Sequence, residues 1–98
     1  MPRRNNDMKV HKIIFEEVQK IVNEYDPVGL VRGGAPPDEY HTEVGKIVAF
    51  LRSESDRDSL ANKVEGLFRE SFGNVEANRD QYLLLSQKLL DLKKRLRW

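Results

Sequence analysis

Residues 8–25 read MKVHKIIFEEVQKIVNEY, and residues 26–38 read DPVGLVRGGAPPD. The first stretch places Val10, Ile14, Val18, Ile21, Val22 and Tyr25 at steps of three and four, the spacing of one helical face. Glu16, Glu17, Lys20 and Glu24 fall largely on the other face. The second stretch holds three glycines and three prolines in thirteen positions, so regular structure stops there. Pro27 denies Asp26 the helical conformation and ends the first helix near it. The order is therefore helix, irregular corner, helix.

The same periodicity continues beyond the corner. Tyr40, Val44, Ile47, Val48 and Leu51 make a stripe for a second helix over His41–Arg52. Asp56 is a cap residue for a third, Arg57 to Ser71 or Phe72, with Leu60, Val64, Leu67, Phe68 and Phe72 as its stripe. Gly73 follows, where a helix favours a left-handed residue. A fourth helix is expected from Asn74 or Val75 to Arg95, with Glu76 and Asp80 complementing its dipole. Its apolar line is Tyr82, Leu85, Leu89, Leu92 and Leu96. Asn5, Asn6 and Asp7 offer cap oxygens to the first helix. No segment alternates apolar and polar residues for long enough to be a strand.

The fold class is all-α: one compact four-helix domain over residues 7–98, with a short N-terminal extension, 1–6, and an irregular Gly/Pro-rich loop between helices 1 and 2. The expected core is Ile14, Val18, Val44, Ile47, Val48, Leu51, Leu60, Val64, Leu67, Phe68, Phe72, Tyr82, Leu85 and Leu89. Beyond about Leu90 the fourth helix is expected to outrun the others, leaving Leu92, Leu96 and Trp98 partly exposed. Gly45 and Gly66 interrupt the helices and suggest close backbone approach between helices 2 and 3. Leu83, Leu84 and Leu90 lie off the apolar line of helix 4, so that helix is expected either to be deeply buried, the favoured reading, or to meet a partner or another copy of the chain.

The 98-residue chain is 39% apolar and 34% charged, enough for a core and a solvated shell. It has no cysteine, which removes disulfides, thiol nucleophiles and cysteine metal sites together. The apolar stretch near the N-terminus is cut by His11, Lys12, Glu16 and Glu17, so it is not a signal peptide. The longest apolar runs, such as Leu83–Leu85, are far short of a membrane span. The expected location is the cytoplasm.

The net charge of +1 favours neither a nucleic-acid binder nor an acidic mimic. The basic excess gathers at the end, in Lys88, Lys93, Lys94, Arg95 and Arg97 against Asp91. Lys93, Lys94, Arg95 and Arg97 are candidate phosphate contacts, with Trp98 as a base-stacking partner. Cations at a helix C-terminus also interact favourably with its dipole, whatever their function. His41 with Asp38, Glu39 and Glu43 is the set that bears on a metal or on acid–base catalysis. Acidic residues at a helix start have an equally simple dipole explanation. No HExxH, GxSxG or GxxxxGK motif accompanies them. No catalytic residue, metal ligand or cofactor is assigned.

The loop is the most specific feature, because it is longer than most helix–helix connections and binding sites favour loops on rigid scaffolds. Asp26 is expected to cap the turn that Pro27 begins, accepting amides near Gly29 or Leu30. Tyr25 and Tyr40, at its two mouths, are expected to pack inward with their hydroxyls on polar partners. The candidate binding residues are Tyr25, Asp26, Arg32, Gly33, Gly34, Asp38, Glu39 and Tyr40.

At Tyr25-Asp26-Pro27-Val28-Gly29-Leu30, Gly34-Ala35-Pro36-Pro37-Asp38-Glu39-Tyr40, Glu43-Val44 and Ile47-Val48 the chain resembles the YugE-like family of small bacterial proteins of unknown function. Phe68-Arg69-Glu70-Ser71-Phe72-Gly73 is a weaker echo. The resemblance implies a compact helical domain and a bacterial source, and it implies no activity. The chain departs from that pattern at Tyr25, where tryptophan is commoner, and at His41, where an acidic residue is. The reading that follows is a non-enzymatic protein–protein interaction domain, a small adaptor or immunity-type inhibitor, working through Asp26–Tyr40. Nucleic-acid binding through the basic helix end is the first alternative, and an enzyme or metal site around His41 the second.

Overall fold

A computed structural model describes residues 2–36, 38–73 and 77–98, with side chains from Lys9 onward. Among these residues the regular elements are all helices: α1 Pro2–Tyr25, α2 His41–Ser53, α3 Arg57–Phe72 and α4 Arg79–Leu96. None of them is long and apolar enough to cross a membrane.

The helix ends follow from local chemistry. Asp56 accepts the Ser59 amide at 2.8 Å and starts α3, and Gly73, with φ of 79°, ends it. Asn78 and Gln81 form a reciprocal capping box at the start of α4. That places the fourth helix four residues later than the sequence suggests: the local cap and box partner outcompete Asn74, and Asn74, Val75 and Glu76 lie outside the described residues. Helix α1 begins earlier than expected. Its backbone is helical from Pro2, so Asn5, Asn6 and Asp7 lie inside the helix and do not cap it. Proline at a helix start is already set for that conformation and lacks only an N–H that would have no partner there.

Helix α4 packs against all three other helices, whereas α1 and α3 do not meet. Its line Tyr82, Leu85, Leu89 and Leu92 is buried between them, facing Ile14, Val18 and Val22 of α1, Val44, Ile47, Val48 and Leu51 of α2, and Leu60, Val64 and Phe68 of α3 in one cluster. Phe68 is at the centre of the aromatic contacts, with Tyr40 edge-on at 5.5 Å and Tyr82 at 6.4 Å. Of the expected core, only Phe72 is half-buried.

Two expectations need correction. Leu92 is 2% exposed, against expectation, whereas Leu96 and Trp98 are partly exposed as expected, although Trp98 is docked on the fold. The Trp98 indole N–H donates to the Val48 carbonyl at 3.1 Å, Arg52 lies 4.0 Å over its ring, and His11 meets its edge. The reason is the packing of α2 beside the end of α4, which puts Val48 and Arg52 against the indole, with His11 of α1 at its edge. The glycines also differ from expectation. A Cβ on Gly45 would stand 3.8 Å from Phe15, an ordinary contact, and one on Gly66 would meet nothing within 4 Å. Close helix approach explains neither.

Two substitutions check this packing by equilibrium denaturation. Phe68→Ala should cost about 3–5 kcal/mol, the range for truncating a buried aromatic. Gly66→Ala, at an exposed helical position with free space, should stabilise the fold by roughly 0.5–1 kcal/mol.

Candidate functional site

The corner between α1 and α2 is built around one buried carboxylate. Asp26 is 2% exposed and sits at φ 49°, a left-handed conformation that aspartate tolerates better than most residues. Its amide closes the last turn of α1 on Val22 O, and its carbonyl accepts the Gly29 amide. Its carboxylate accepts the amides of Val31 at 3.0 Å and Arg32 at 2.9 Å, and the Tyr40 hydroxyl at 2.6 Å. The Arg32 guanidinium lies 3.6 Å away.

Tyr40 is fully buried and completes the corner. Its hydroxyl donates to Asp26 and accepts the amides of Val28 and Leu30. Of the amides expected on the carboxylate near Gly29 or Leu30, that of Gly29 goes to the Asp26 carbonyl and that of Leu30 to the phenol, and the carboxylate serves the next two. Leu30 to Gly33 form one helical turn, closed by Gly34 N–H to Val31 O and Ala35 N–H to Leu30 O, with Gly34 at φ 97°. This pair of bonds is a Schellman closure, and a side chain at Gly34 would be strained there. Pro27 O accepts Ala77 N–H, which ties the corner to the α3–α4 connection.

Burial opposes ionisation of Asp26, but the hydrogen bonds from Tyr40, Arg32 and Val31 and the Arg32 charge outweigh it and hold the carboxyl below its ordinary 3.8. Burial and the Asp26 hydrogen bond push the Tyr40 phenol up to about 12. A depressed acid contributes stability that is complete above 3.8 and is lost as the pH falls through the lower folded value. A raised phenol contributes stability below its ordinary 10.0 that is lost as the pH rises towards about 12.

The eight loop candidates divide by exposure. Asp26 and Tyr40 face inward and hold the corner, leaving no surface for a partner. Tyr25 is half-buried, with the Lys88 ammonium 5.3 Å over its ring. Arg32, Gly33, Gly34, Asp38 and Glu39 are exposed. The set around His41 does not converge: Glu43 is buried, whereas His41, Asp38 and Glu39 are exposed and the imidazole rests 4.9 Å from Phe15. Among the described residues no group of three His, Asp or Glu could hold a metal ion.

The basic end of α4 is also divided. Lys93, Lys94 and Arg97 line a cleft of about 440 Å³ with Ser55, Arg57, Gln87 and Leu90. Arg95 lines a different one, beside Glu17, Glu24 and Asp91. Trp98 is engaged by Arg52 and Val48 O, so a base-stacking role for it meets competition inside the fold. Arg57 and Ser55 carried no sequence signal for this cleft, because only the packing of α3 beside α4 brings them there.

Tyr40→Phe tests the corner directly. It leaves a buried carboxylate and two amides short of a partner, and should cost about 1–3 kcal/mol. Amide exchange at Val28, Leu30 and Val31 should accelerate, while exchange in α3 should follow only the global loss. Asp26→Asn should flatten the fall in stability on acidification below about pH 4; an unchanged acid limb in denaturation curves would assign that limb to other carboxyls.

No curated protein and no solved structure shows significant similarity to the chain. The family comparison does give a match, over residues 17–96, which takes in the corner, α2, α3 and nearly all of α4. The chain belongs to the family described as a domain of unknown function, DUF1871.

Proposed function

We propose that the chain is a non-enzymatic protein–protein interaction domain that presents the corner Asp26–Tyr40 to a partner protein. The observation that carries this reading is the Asp26–Tyr40 hub, whose side chains satisfy four backbone amides of a stretch rich in glycine and proline. An ordered recognition surface loses little further conformational entropy on binding, so its contacts convert more fully into affinity. Arg32, Asp38 and Glu39 supply both signs of charge around the small surface of Gly33 and Gly34, a pattern suited to an orientation-specific polar contact. The resemblance to YugE-like proteins supports a bacterial cytoplasmic setting, and within the interaction class a small adaptor or an immunity-type inhibitor fits the size of the domain.

Affinity capture from a bacterial host, comparing the natural chain with the Arg32→Ala/Asp38→Ala/Glu39→Ala variant, tests this reading. Asp38 and Glu39 are exposed, whereas Arg32 also offsets the buried Asp26 carboxylate, so the variant should keep its helical content but melt somewhat lower, and capture is compared well below that melting temperature. A specific partner retained by the natural chain should be lost or weakened by roughly tenfold or more, as expected when hot-spot contacts are removed. Equal retention by both chains would move the contact surface away from the corner.

A further inference from the structure

The cleft between the start of α3 and the last turns of α4 has the chemistry of an anion site. Four of its seven lining residues are cationic: Arg57, Lys93, Lys94 and Arg97. Among the described residues, Lys94 and Arg97 make no ion pair and no side-chain hydrogen bond. Arg57 gives only Nε to Asp58, at 3.3 Å, leaving its two terminal nitrogens available. Lys93 donates to the Glu54 carbonyl at 2.8 Å, which fixes its ammonium at the cleft with donors to spare.

Three neighbouring carboxylates are committed elsewhere, while Asp80 lies in an adjoining depression that Arg57 and Gln87 also line. Glu54 is paired with Lys63 at 3.0 Å and accepts the Ser59 hydroxyl, contacts that bring its carboxyl down to about 2. Asp56 caps α3 through the Ser59 amide. Asp91 accepts from Gln87. Among the described residues, only the Asp58 contact on Arg57 pairs a carboxylate with one of the four lining cations. The 7% of Leu90 that stays exposed and the aliphatic stems of the lysines and arginines supply an apolar wall, and Ser55 and Gln87 supply neutral polar groups. Converging cations beside one apolar surface, in a cleft of small-molecule size, favour a dianionic head joined to a less polar body.

We propose that this cleft binds a small organic phosphate, its phosphate held by Arg57, Lys94 and Arg97 and its organic part against Leu90. The site is independent of the corner and of any partner bound there. The split of the basic end between two clefts favours a compact ligand over a tract of nucleic-acid backbone, which would need the cations in line.

The test uses the full chain with inorganic phosphate, phenyl phosphate, AMP and a single-stranded oligonucleotide lacking terminal phosphates. Binding is read by calorimetry and by amide shift mapping. Phenyl phosphate or AMP should bind saturably and more tightly than inorganic phosphate, shifting the amides of Ser55, Arg57, Gln87 and Lys94. The double variant Arg57→Gln/Lys94→Gln, at two exposed helical positions, should weaken this binding by roughly tenfold or more, as expected for lost charge-assisted contacts. Arg95→Gln, in the other cleft, should leave it unchanged. The proposal is overturned if neither organic phosphate binds, or if Arg95→Gln is as damaging as the double variant. It is also overturned if the oligonucleotide binds while AMP does not, an outcome that would favour the backbone of a nucleic acid.

Discussion

A single short hydrogen bond, from the Tyr40 hydroxyl to the Asp26 carboxylate, decides whether residues 26–40 are a corner or a tether. Both groups are out of water, so each would incur a desolvation cost without the other. Together they take up four backbone amides that a glycine- and proline-rich segment has no regular structure to satisfy. The aspartate closes α1 and the tyrosine opens α2. The bond therefore also sets how the first two helices enter the core, and through Pro27 it reaches the α3–α4 connection. The ring of Tyr40 joins the same point to Phe68, so the polar hub and the apolar core share a residue.

Helix α4 plays the corresponding part on the apolar side. Like α2 it touches all three other helices, with its broadest contacts on α3 and α1, and its buried line would have no cover in isolation. Tyr82, Leu85, Leu89 and Leu92 are consumed by the fold, and Leu90 is covered as well, which leaves Leu84 as its large exposed apolar side chain. The breadth of apolar residues on this helix is mostly explained by having three neighbours.

Periodicity was enough to place the helices and nearly all the core, because burial of one helical face is a local pattern repeated every few residues. Gly73 and Asp56 were legible for the same reason: a cap acts within one turn. The start of α4 was misplaced, since several nearby residues can cap and only the Asn78–Gln81 pairing distinguishes them. The docking of Trp98 was not legible locally, because it depends on α2 lying beside the end of α4 over a separation of many residues. At the corner, the roles of Asp26 and Tyr40 were readable, but the distribution of amides between them was not, as it follows from where the phenol arrives in space. Arg57 and Ser55 were invisible as cleft residues for a similar reason: nothing in their own neighbourhood points to α4.

The docking of Trp98 has an optical consequence. It is the sole tryptophan, and its half-buried indole sits where α1, α2 and the end of α4 meet, hydrogen-bonded to Val48 O beneath the Arg52 guanidinium. Its emission therefore reports on a junction between residues fifty positions apart in the chain. A red shift would signal that the end of α4 had parted from α2, even while the helices themselves persisted. With Arg97 as its chain neighbour, the same fluorophore also stands one residue from the basic cleft, so the protein carries its own dye for events at that end.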